Sequence, residues 1–167
     1  MMSEQKNYIL DKQIATKKLE RMAYEIAEQN VGEKRLILAG IKDNGVAMAY
    51  FLKKLLQSVF SGVIDVIELN LDKRNPGEIE VSSTENFDDA VIIVVDDVAN
   101  SGKTMLYALK PFLQYHPKKI QTLALVERTH KVYPVNTDYV GVSLATTLQE
   151  HIFVEVEGGE VTGAYLV

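Results

Sequence analysis

The chain has 167 residues, of which 47% are hydrophobic and 25% are charged; its formal net charge is -5 and it contains no cysteine. This composition fits one globular domain, which we expect to cover residues 1–167. The missing cysteines exclude disulfides, zinc–thiolate sites and a cysteine nucleophile. The negative charge argues against broad nucleic-acid binding. The N-terminal residues lack the apolar segment of a signal peptide and no apolar run could span a bilayer, so we expect a cytoplasmic protein without a membrane partner.

Apolar periodicity predicts helices that alternate with strands. The helices are expected over residues 11–29, 45–57 and 103–115, with Asp11 as the N-cap of the first, and the strands over residues 35–40, 63–69, 91–95, 119–126 and 138–142. A β-hairpin around Gly158-Gly159 is expected near the C-terminus. This order indicates an α/β fold, a Rossmann-like parallel sheet flanked by helices, whose ligands bind at the carboxyl ends of the strands.

Residues 70–88 differ from their surroundings because they are polar and contain the turn signal Asn75-Pro76-Gly77. A long polar segment inside a compact domain is typical of a functional or a disordered loop. Since this segment follows a predicted strand, we expect it beside the ligand crevice.

The most informative segment is Val91–Thr104, in which an apolar strand runs into Asp96-Asp97 and then into a loop of small residues before a helix. Two adjacent carboxylates can accept hydrogen bonds from a pair of sugar hydroxyls. The small residues that follow let backbone N–H groups approach an anion, and the helix start favours negative charge. The segment therefore predicts a clamp for a diol beside a phosphate cradle, which suits a ribose 5-phosphate.

This segment has two other interpretations. Ser101-Gly-Lys-Thr104 matches the end of a Walker A loop, but that motif requires a glycine where Asp97 stands, and a carboxylate there would repel phosphate. Alternatively, Asp96 and Asp97 only cap the next helix. The length of the matching string favours the ligand site.

The string resembles the PRPP-binding motif of type I phosphoribosyltransferases. Further matches follow in the order found in the PyrR family, whose members regulate pyrimidine operons and have uracil phosphoribosyltransferase activity. They are Ile9-Leu-Asp11, Gly40-Ile-Lys42 with Gly45, Leu125-Val-Glu-Arg-Thr-His130, Pro134 and Asp138-Tyr-Val-Gly141. The resemblance spans nearly the whole chain and implies a phosphoribosyltransferase domain with a small hood formed by the two chain ends.

The resemblance also implies roles along the crevice. Asp96 and Asp97 would bind the ribose hydroxyls, and Asp97 would be catalytic beside the sugar carbon where positive charge develops. The 5-phosphate would be bound by Ala99, Asn100, Ser101, Gly102, Lys103 and Thr104. Pyrophosphate would be bound by Gly40, Ile41 and Lys42, through backbone amides and a cis peptide, unless this segment is a plain turn. Mg²⁺ would bridge substrate oxygens without a ligand set of its own on the protein.

The polar segment corresponds to a mobile loop that closes over PRPP. Lys73 and Arg74 would then contact phosphate, or else they are solvated charges. On the base side, Glu127 stands where purine-using relatives have a lysine, and a carboxylate cannot donate a hydrogen bond to a purine oxygen. Tyr139 and Val140 match the segment that packs on the base, although Tyr139 is equally typical of a half-buried strand position.

Three departures from the family pattern bear on function. Asp43-Asn44 replaces the usual Thr-Arg, which should weaken pyrophosphate binding, and Ala99-Asn-Ser101 replaces Leu-Tyr-Thr. RNA-binding members carry Thr and His at the positions of Glu20 and Tyr24, and a carboxylate there repels phosphate. Some basic character remains in Arg128, His130 and Lys131.

Two hypotheses follow. The first is an enzyme that transfers the phosphoribosyl group of PRPP to a nucleobase, with uracil favoured. The second is a PyrR-like regulator that binds PRPP or nucleotide, acts by RNA attenuation and has weak or no catalysis; RNA binding is doubtful given the acidic balance. Relatives are dimers or tetramers, which implies a homo-oligomer.

Overall fold

A six-stranded sheet forms the centre of the protein in a computed structural model that describes residues 5–146 and 149–167. In chain order the elements are β1 (Asn7–Asp11), α1 (Lys12–Gln29), β2 (Arg35–Ile41), α2 (Asn44–Leu56), β3 (Val63–Leu71), β4 (Ile79–Val81), β5 (Val91–Ala99), α3 (Lys103–Ala108), a 3₁₀ turn (Lys110–Phe112), β6 (Lys119–Arg128), β7 (Tyr139–Leu144), β8 (Ile152–Glu157) and β9 (Glu160–Leu166). The sheet order is β4-β3-β2-β5-β6-β7, with β4 antiparallel to β3 and all other neighbours parallel. The predicted α/β fold is confirmed.

Helices cover both faces of this sheet. α1 and α2 pack on one face, in a core that includes Leu19, Met22, Leu52 and Leu56. α3 and the 3₁₀ turn pack on the other, around Met105 and Phe112. Asp11 caps α1 as predicted, since its side chain accepts a hydrogen bond from the Ile14 N–H at 2.8 Å. None of the helices described is long and apolar enough to cross a membrane.

The chain ends form a second sheet, as the resemblance implied. β1 and β8 flank β9, and all three strands run antiparallel to their neighbours in the order β1-β9-β8. Gly158 and Gly159 turn the hairpin with φ values of 59° and 79°, which a two-residue turn of this kind requires. We call this sheet the hood; its residues Ile152, Val154, Val161 and Ala164 join the core of α1 and α2.

The structure differs from the sequence-based expectation around β5 and α3. β5 continues through both aspartates to Ala99, because its ladder with β6 extends to the pair Ala99 and Glu127. The helix predicted over residues 103–115 ends at Ala108 and is followed by a 3₁₀ turn with Pro111 in its first turn, where a proline that lacks an N–H cannot continue an α-helix. The polar segment 70–88 contains the short edge strand β4.

Candidate active site

The carboxyl ends of the parallel strands open onto three adjoining pockets. The first, of about 410 Å³, is called the α2 pocket and is lined by Lys42, Asp43, Asn44, Asn70, Leu71, Asp72, Lys73 and Asp97. The second, of about 70 Å³, is the loop pocket, lined by Lys73, Asp96 and residues 98–105. The third, of about 420 Å³, is the hood pocket, lined by Asn100, Ser101, Arg128, His130, Val132, His151, Ile152 and Phe153. Each pocket shares lining residues with the next, so they form one continuous crevice.

Asp96 lies in the loop pocket with only 2% of its surface exposed. One of its carboxylate oxygens accepts the N–H of Asp97 at 2.8 Å, and the Lys73 ammonium lies 3.3 Å from the same oxygen. Burial, and next the charge of Asp97, raise the pKa of Asp96 well above its usual value, although Lys73 opposes this shift. This carboxyl group therefore resists ionisation more than an ordinary aspartate does.

Lys73 binds both carboxylates of the pair. Its ammonium lies 3.3 Å from Asp96 and 3.8 Å from Asp97. Burial lowers the pKa of Lys73, but the charges of Asp96 and Asp97 outweigh it and the net shift is upward, so this lysine stays protonated. Arg74, the other residue predicted to contact phosphate, is exposed. The backbone N–H of Arg74 donates to the Asp72 carboxylate at 2.9 Å. Of the two cations predicted in the loop, Lys73 thus reaches the carboxylates.

Asp97 faces the α2 pocket and has both oxygens engaged. Its Oδ1 accepts the N–H of Val98 at 2.8 Å, and its Oδ2 accepts a hydrogen bond from the side chain of Asn44 at 2.9 Å. The same Asn44 amide donates to the Val154 carbonyl in the hood at 3.0 Å. The orientation of Asp97 is therefore fixed from two sides.

The segment after β5 forms a tight turn. Gly102 has a φ of 87°, in the left-handed region that favours glycine, and α3 begins directly after it. The Ser101 carbonyl accepts the N–H groups of Val132 and Tyr133, each at 3.0 Å, and the Ser101 hydroxyl accepts the N–H of Lys103 at 3.3 Å. The structure thus brings the predicted phosphate-binding residues 99–104 together around the loop pocket.

Arg128 holds the other side of this turn. Its guanidinium donates to the Asn100 side chain at 2.9 Å, to the Thr146 hydroxyl at 2.7 Å and to the Glu150 carbonyl. The sequence predicted only a basic surface residue here, whereas Arg128 is 8% exposed and connects the turn after β5 with the segment that precedes β8.

The segment Gly40–Lys42 reaches the crevice through its backbone. Gly40 and Ile41 are buried in β2, and the Lys42–Asp43 peptide bond is cis, as the resemblance implied. A methyl group on Gly45 would lie 2.4 Å from the Val95 carbonyl oxygen, so this glycine allows the start of α2 to contact the end of β5. The Lys42 ammonium lies 3.8 Å from Glu68.

Glu127 is the second-last residue of β6, opposite Ala99 at the end of β5. It forms an ion pair with Lys131 and accepts a hydrogen bond from the Ser143 hydroxyl at 3.0 Å. Although burial acts in the opposite direction, the bonds from Lys131 and Ser143 lower the pKa of Glu127, which is therefore an anion at neutral pH.

Tyr139 and Val140 are not brought into the crevice. They stand at the beginning of β7, opposite Leu123 and Ala124, whereas β6 and β7 end at Arg128 and Leu144. The Tyr139 side chain is 0% exposed and its hydroxyl donates to Gln121 at 2.7 Å. This corrects the expectation that Tyr139 packs on the base: its side chain belongs to the core. The Val140 carbonyl accepts a hydrogen bond from Arg21 on α1 at 2.9 Å.

Sequence reasoning missed the roles of Asn44 and of the hood residues His151, Ile152 and Phe153. The sequence marks Asn44 only as the replacement for an arginine, and no local pattern shows that its amide donates to Asp97. Ile152 and Phe153 belong to β8, which is far from the motif in the chain, and His151 directly precedes that strand.

Comparisons with known proteins decide the family. Residues 5–157 match the family described as "Phosphoribosyl transferase domain". The chain belongs to the phosphoribosyltransferase family. It is 32% identical to the bifunctional protein PyrR of Bacillus pumilus, with 97% of this chain and 98% of that protein covered. It is 33% identical to the protein of the same name from Staphylococcus saprophyticus, with 89% and 91% covered. These relatives make it a PyrR-like member of the family.

Solved structures of other phosphoribosyltransferases share the fold. The hypoxanthine phosphoribosyltransferase of Trypanosoma cruzi aligns with a TM-score of 0.77 at 13% identity. The alignment covers 96% of this chain and 95% of that protein. A hypoxanthine-guanine phosphoribosyltransferase of Bacillus anthracis aligns with a TM-score of 0.72 at 17% identity, with 89% and 88% covered. At these identities the likeness is one of fold.

Proposed function

We propose that this chain transfers the 5-phosphoribosyl group of PRPP to uracil and releases pyrophosphate. One observation carries the proposal: the paired carboxylates of Asp96 and Asp97 lie between the α2 pocket on one side and the loop and hood pockets on the other. The reaction needs a ribose site that lies between two pockets. The ribose must be held while pyrophosphate leaves on one side of the sugar and the base enters on the other.

When the ribose binds, its hydroxyls would replace the Lys73 ammonium at the carboxylates of Asp96 and Asp97. Lys73 contacts the oxygens that the ribose hydroxyls would use. It also lines both the α2 pocket and the loop pocket, so a small movement of its flexible stem takes the ammonium from the carboxylates to a phosphate. The lysine would thus exchange an interaction with carboxylate for one with substrate phosphate.

No nucleophilic side chain is needed for this chemistry. As pyrophosphate departs, positive charge develops on the sugar, and a fixed carboxylate stabilises that charge without having to reorient. Asp97 meets this requirement because Asn44 and Val98 hold its two oxygens. The residues around the crevice then need only to keep the sugar and the base in line.

The donor set of the crevice suits a magnesium ion that arrives with its substrate. Within residues 5–146 and 149–167, no three His, Cys, Asp or Glu side chains are grouped closely enough to hold a metal ion. Asp96 and Asp97 would supply hard oxygen ligands, and PRPP would supply the others. When bound, Mg²⁺ neutralises charge on the pyrophosphate leaving group.

The choice of uracil rests on Glu127. Its carboxylate is an anion that accepts a bond from Lys131, so it cannot donate to the oxygen of a 6-oxopurine.

The test is a panel of reactions with PRPP, Mg²⁺ and one of five bases: uracil, hypoxanthine, guanine, adenine or orotate. We expect chromatography to show uridine monophosphate as the main product. Production of a purine nucleotide instead would refute the choice of base, and no nucleotide from any base would refute the enzyme. The double variant Asp96→Asn/Asp97→Asn should remain folded and lose PRPP binding; unchanged binding would refute the site.

A regulator with slow turnover is the second candidate. It is favoured because Asn44 occupies the position of the family's arginine and donates to Asp97, so this side chain brings no positive charge to pyrophosphate. Glu20 and Tyr24 are exposed on α1, which opposes RNA binding through that surface. A gel-shift measurement with a pyrimidine-operon leader transcript separates the two, since the regulator requires a shifted band.

The proposal also includes the assembly. We expect a single phosphoribosyltransferase domain over residues 1–167 that forms a homodimer or homotetramer, as its resemblance to the PyrR family implies. Light scattering after size-exclusion chromatography measures this mass directly, and a monomeric mass would contradict it.

A further inference from the structure

Asn44 connects the carboxylate side of the crevice to the hood. It is the first residue of α2, and its side-chain NH₂ group donates to Asp97 Oδ2 at 2.9 Å and to the Val154 carbonyl at 3.0 Å. An amide NH₂ group has two hydrogens, and here each has its own acceptor. One side chain therefore bridges β5 of the core and β8 of the hood.

The Asn44 side chain connects the α2 pocket with the hood pocket. Asp97 lies in the α2 pocket, whereas Ile152 and Phe153, which directly precede Val154 in β8, line the hood pocket. A shift of β8 would change the position of Asn44, because the two are hydrogen-bonded. Loss of the Asn44 side chain would remove the hydrogen bonds that hold both Asp97 and β8. The distance between the ribose site and the base site thus depends on this amide.

The charges around Asp97 explain why a neutral donor suits this position. Lys73 lies 3.3 Å from Asp96 and 3.8 Å from Asp97, so a cation already serves both carboxyl groups. An amide donates to Asp97 without adding a further charge beside it. Its orientation is set without competing with the cations that the substrate phosphates need.

We propose that Asn44 is a positioning residue that orients Asp97 for PRPP and sets the position of the hood strand β8 over the acceptor base. The inference rests on the proposed transfer reaction and names a determinant of both substrate sites. Asn44 acts through Asp97 and Val154 and has no chemical step of its own.

The experiment compares Asn44→Ala, Asn44→Ser and Asn44→Asp with the wild type. Calorimetry measures the Kd of PRPP with Mg²⁺, and steady-state kinetics measure kcat and the KM of uracil. We expect Asn44→Ala to raise the Kd of PRPP about tenfold, as for the loss of a hydrogen bond to a charged group. Asn44→Asp should raise it further, because a carboxylate would face Asp97, and Asn44→Ser, with one donor, should lie between wild type and Asn44→Ala.

The readouts separate positioning from general damage to the fold. A merely structural defect lowers the active fraction, and with it kcat, but leaves the Kd and KM of the folded molecules unchanged. Gln57→Ala, at the exposed far end of the same helix, is the matched control and should behave like the wild type. Should Asn44→Asp fail to fold, Asn44→Ala and Asn44→Ser decide the question.

PRPP binding needs no acceptor base, so this inference and the proposed function can fail separately. Wild-type protein that binds PRPP but forms no nucleotide would refute the transfer reaction, while the order of Kd values would still test Asn44. Asn44→Ala with a Kd within twofold of the wild type would overturn the inference, and an unchanged KM for uracil in that variant would overturn its hood part.

Discussion

Replacing Asp96 by asparagine should stabilise the protein while it abolishes PRPP binding. Asp96 is 2% exposed, and burial together with the charge of Asp97 raises its pKa. A carboxyl group whose pKa is higher in the folded than in the unfolded protein adds stability only below its unfolded pKa. That contribution is lost as the pH rises through the folded pKa. At neutral and higher pH, the charged form of Asp96 therefore lowers the free energy of unfolding.

The magnitude follows from the contacts of Asp96. Asparagine has the same size and keeps an oxygen for the Asp97 N–H, which lies at 2.8 Å. The substitution removes the desolvation of a carboxylate but also its pair with Lys73, whose side chain is 47% exposed and so contributes modestly. We expect the free energy of unfolding to rise by about 1–2 kcal/mol at pH 8, the lower part of the range found when a buried ion pair is replaced by neutral side chains. The melting temperature should rise by roughly 2–8 °C.

Urea denaturation at several pH values measures this effect. The gain of Asp96→Asn over the wild type should be largest at pH 8 and shrink as the pH falls and the wild-type carboxyl group becomes protonated. Asp97→Asn is the matched control: it would set an NH₂ group against that of Asn44 and lose the bond at 2.9 Å, so no gain is expected. A variant Asp96→Asn that is no more stable than the wild type at pH 8 would refute the reasoning.

Three further predictions concern single substitutions. Lys73→Ala should raise the KM of PRPP about tenfold in steady-state assays, because about 1.4 kcal/mol of phosphate interaction is lost, and an unchanged KM would show that the lysine remains on the carboxylates. Gly45→Ala should lower the free energy of unfolding by about 1–3 kcal/mol in urea, since its Cβ would lie 2.4 Å from the Val95 oxygen. Tyr139→Phe should lower that free energy by about 1 kcal/mol, because the hydroxyl bonded to Gln121 at 2.7 Å is lost, but leave the KM of the base unchanged. A raised KM of the base would show that Tyr139 contributes to base binding.

Local sequence patterns predicted a helix, strand or turn correctly where a few neighbouring residues determine it. The apolar run of β5, the cap at Asp11 and the glycine pair of the hairpin each depend on neighbouring residues, and all are found in the structure. The helix after the phosphate loop was predicted too long because its apolar periodicity continues past Ala108, where Pro111 and the packing of Phe112 favour a 3₁₀ turn.

The base-side residues show what local patterns miss. Alternation along β7 indicates which face a side chain takes, but it does not determine how far along the neighbouring strand that residue lies. The pairing of Tyr139 with Leu123 places it five residues before the strand end at Leu144, about 16 Å from that end. Its burial against Gln121 follows from this register.

Local sequence patterns were enough to predict a ribose-phosphate segment from Asp96 to Thr104, because two acids, a small-residue turn and a helix start are adjacent in the chain. What surrounds that segment depends on the tertiary structure. Lys73, Asn44 and Val154 come from three separate elements, and they meet at the two carboxylates because strand pairing and hood packing bring those elements together. Contacts of this kind depend on register and on the close approach of elements, neither of which a local pattern contains.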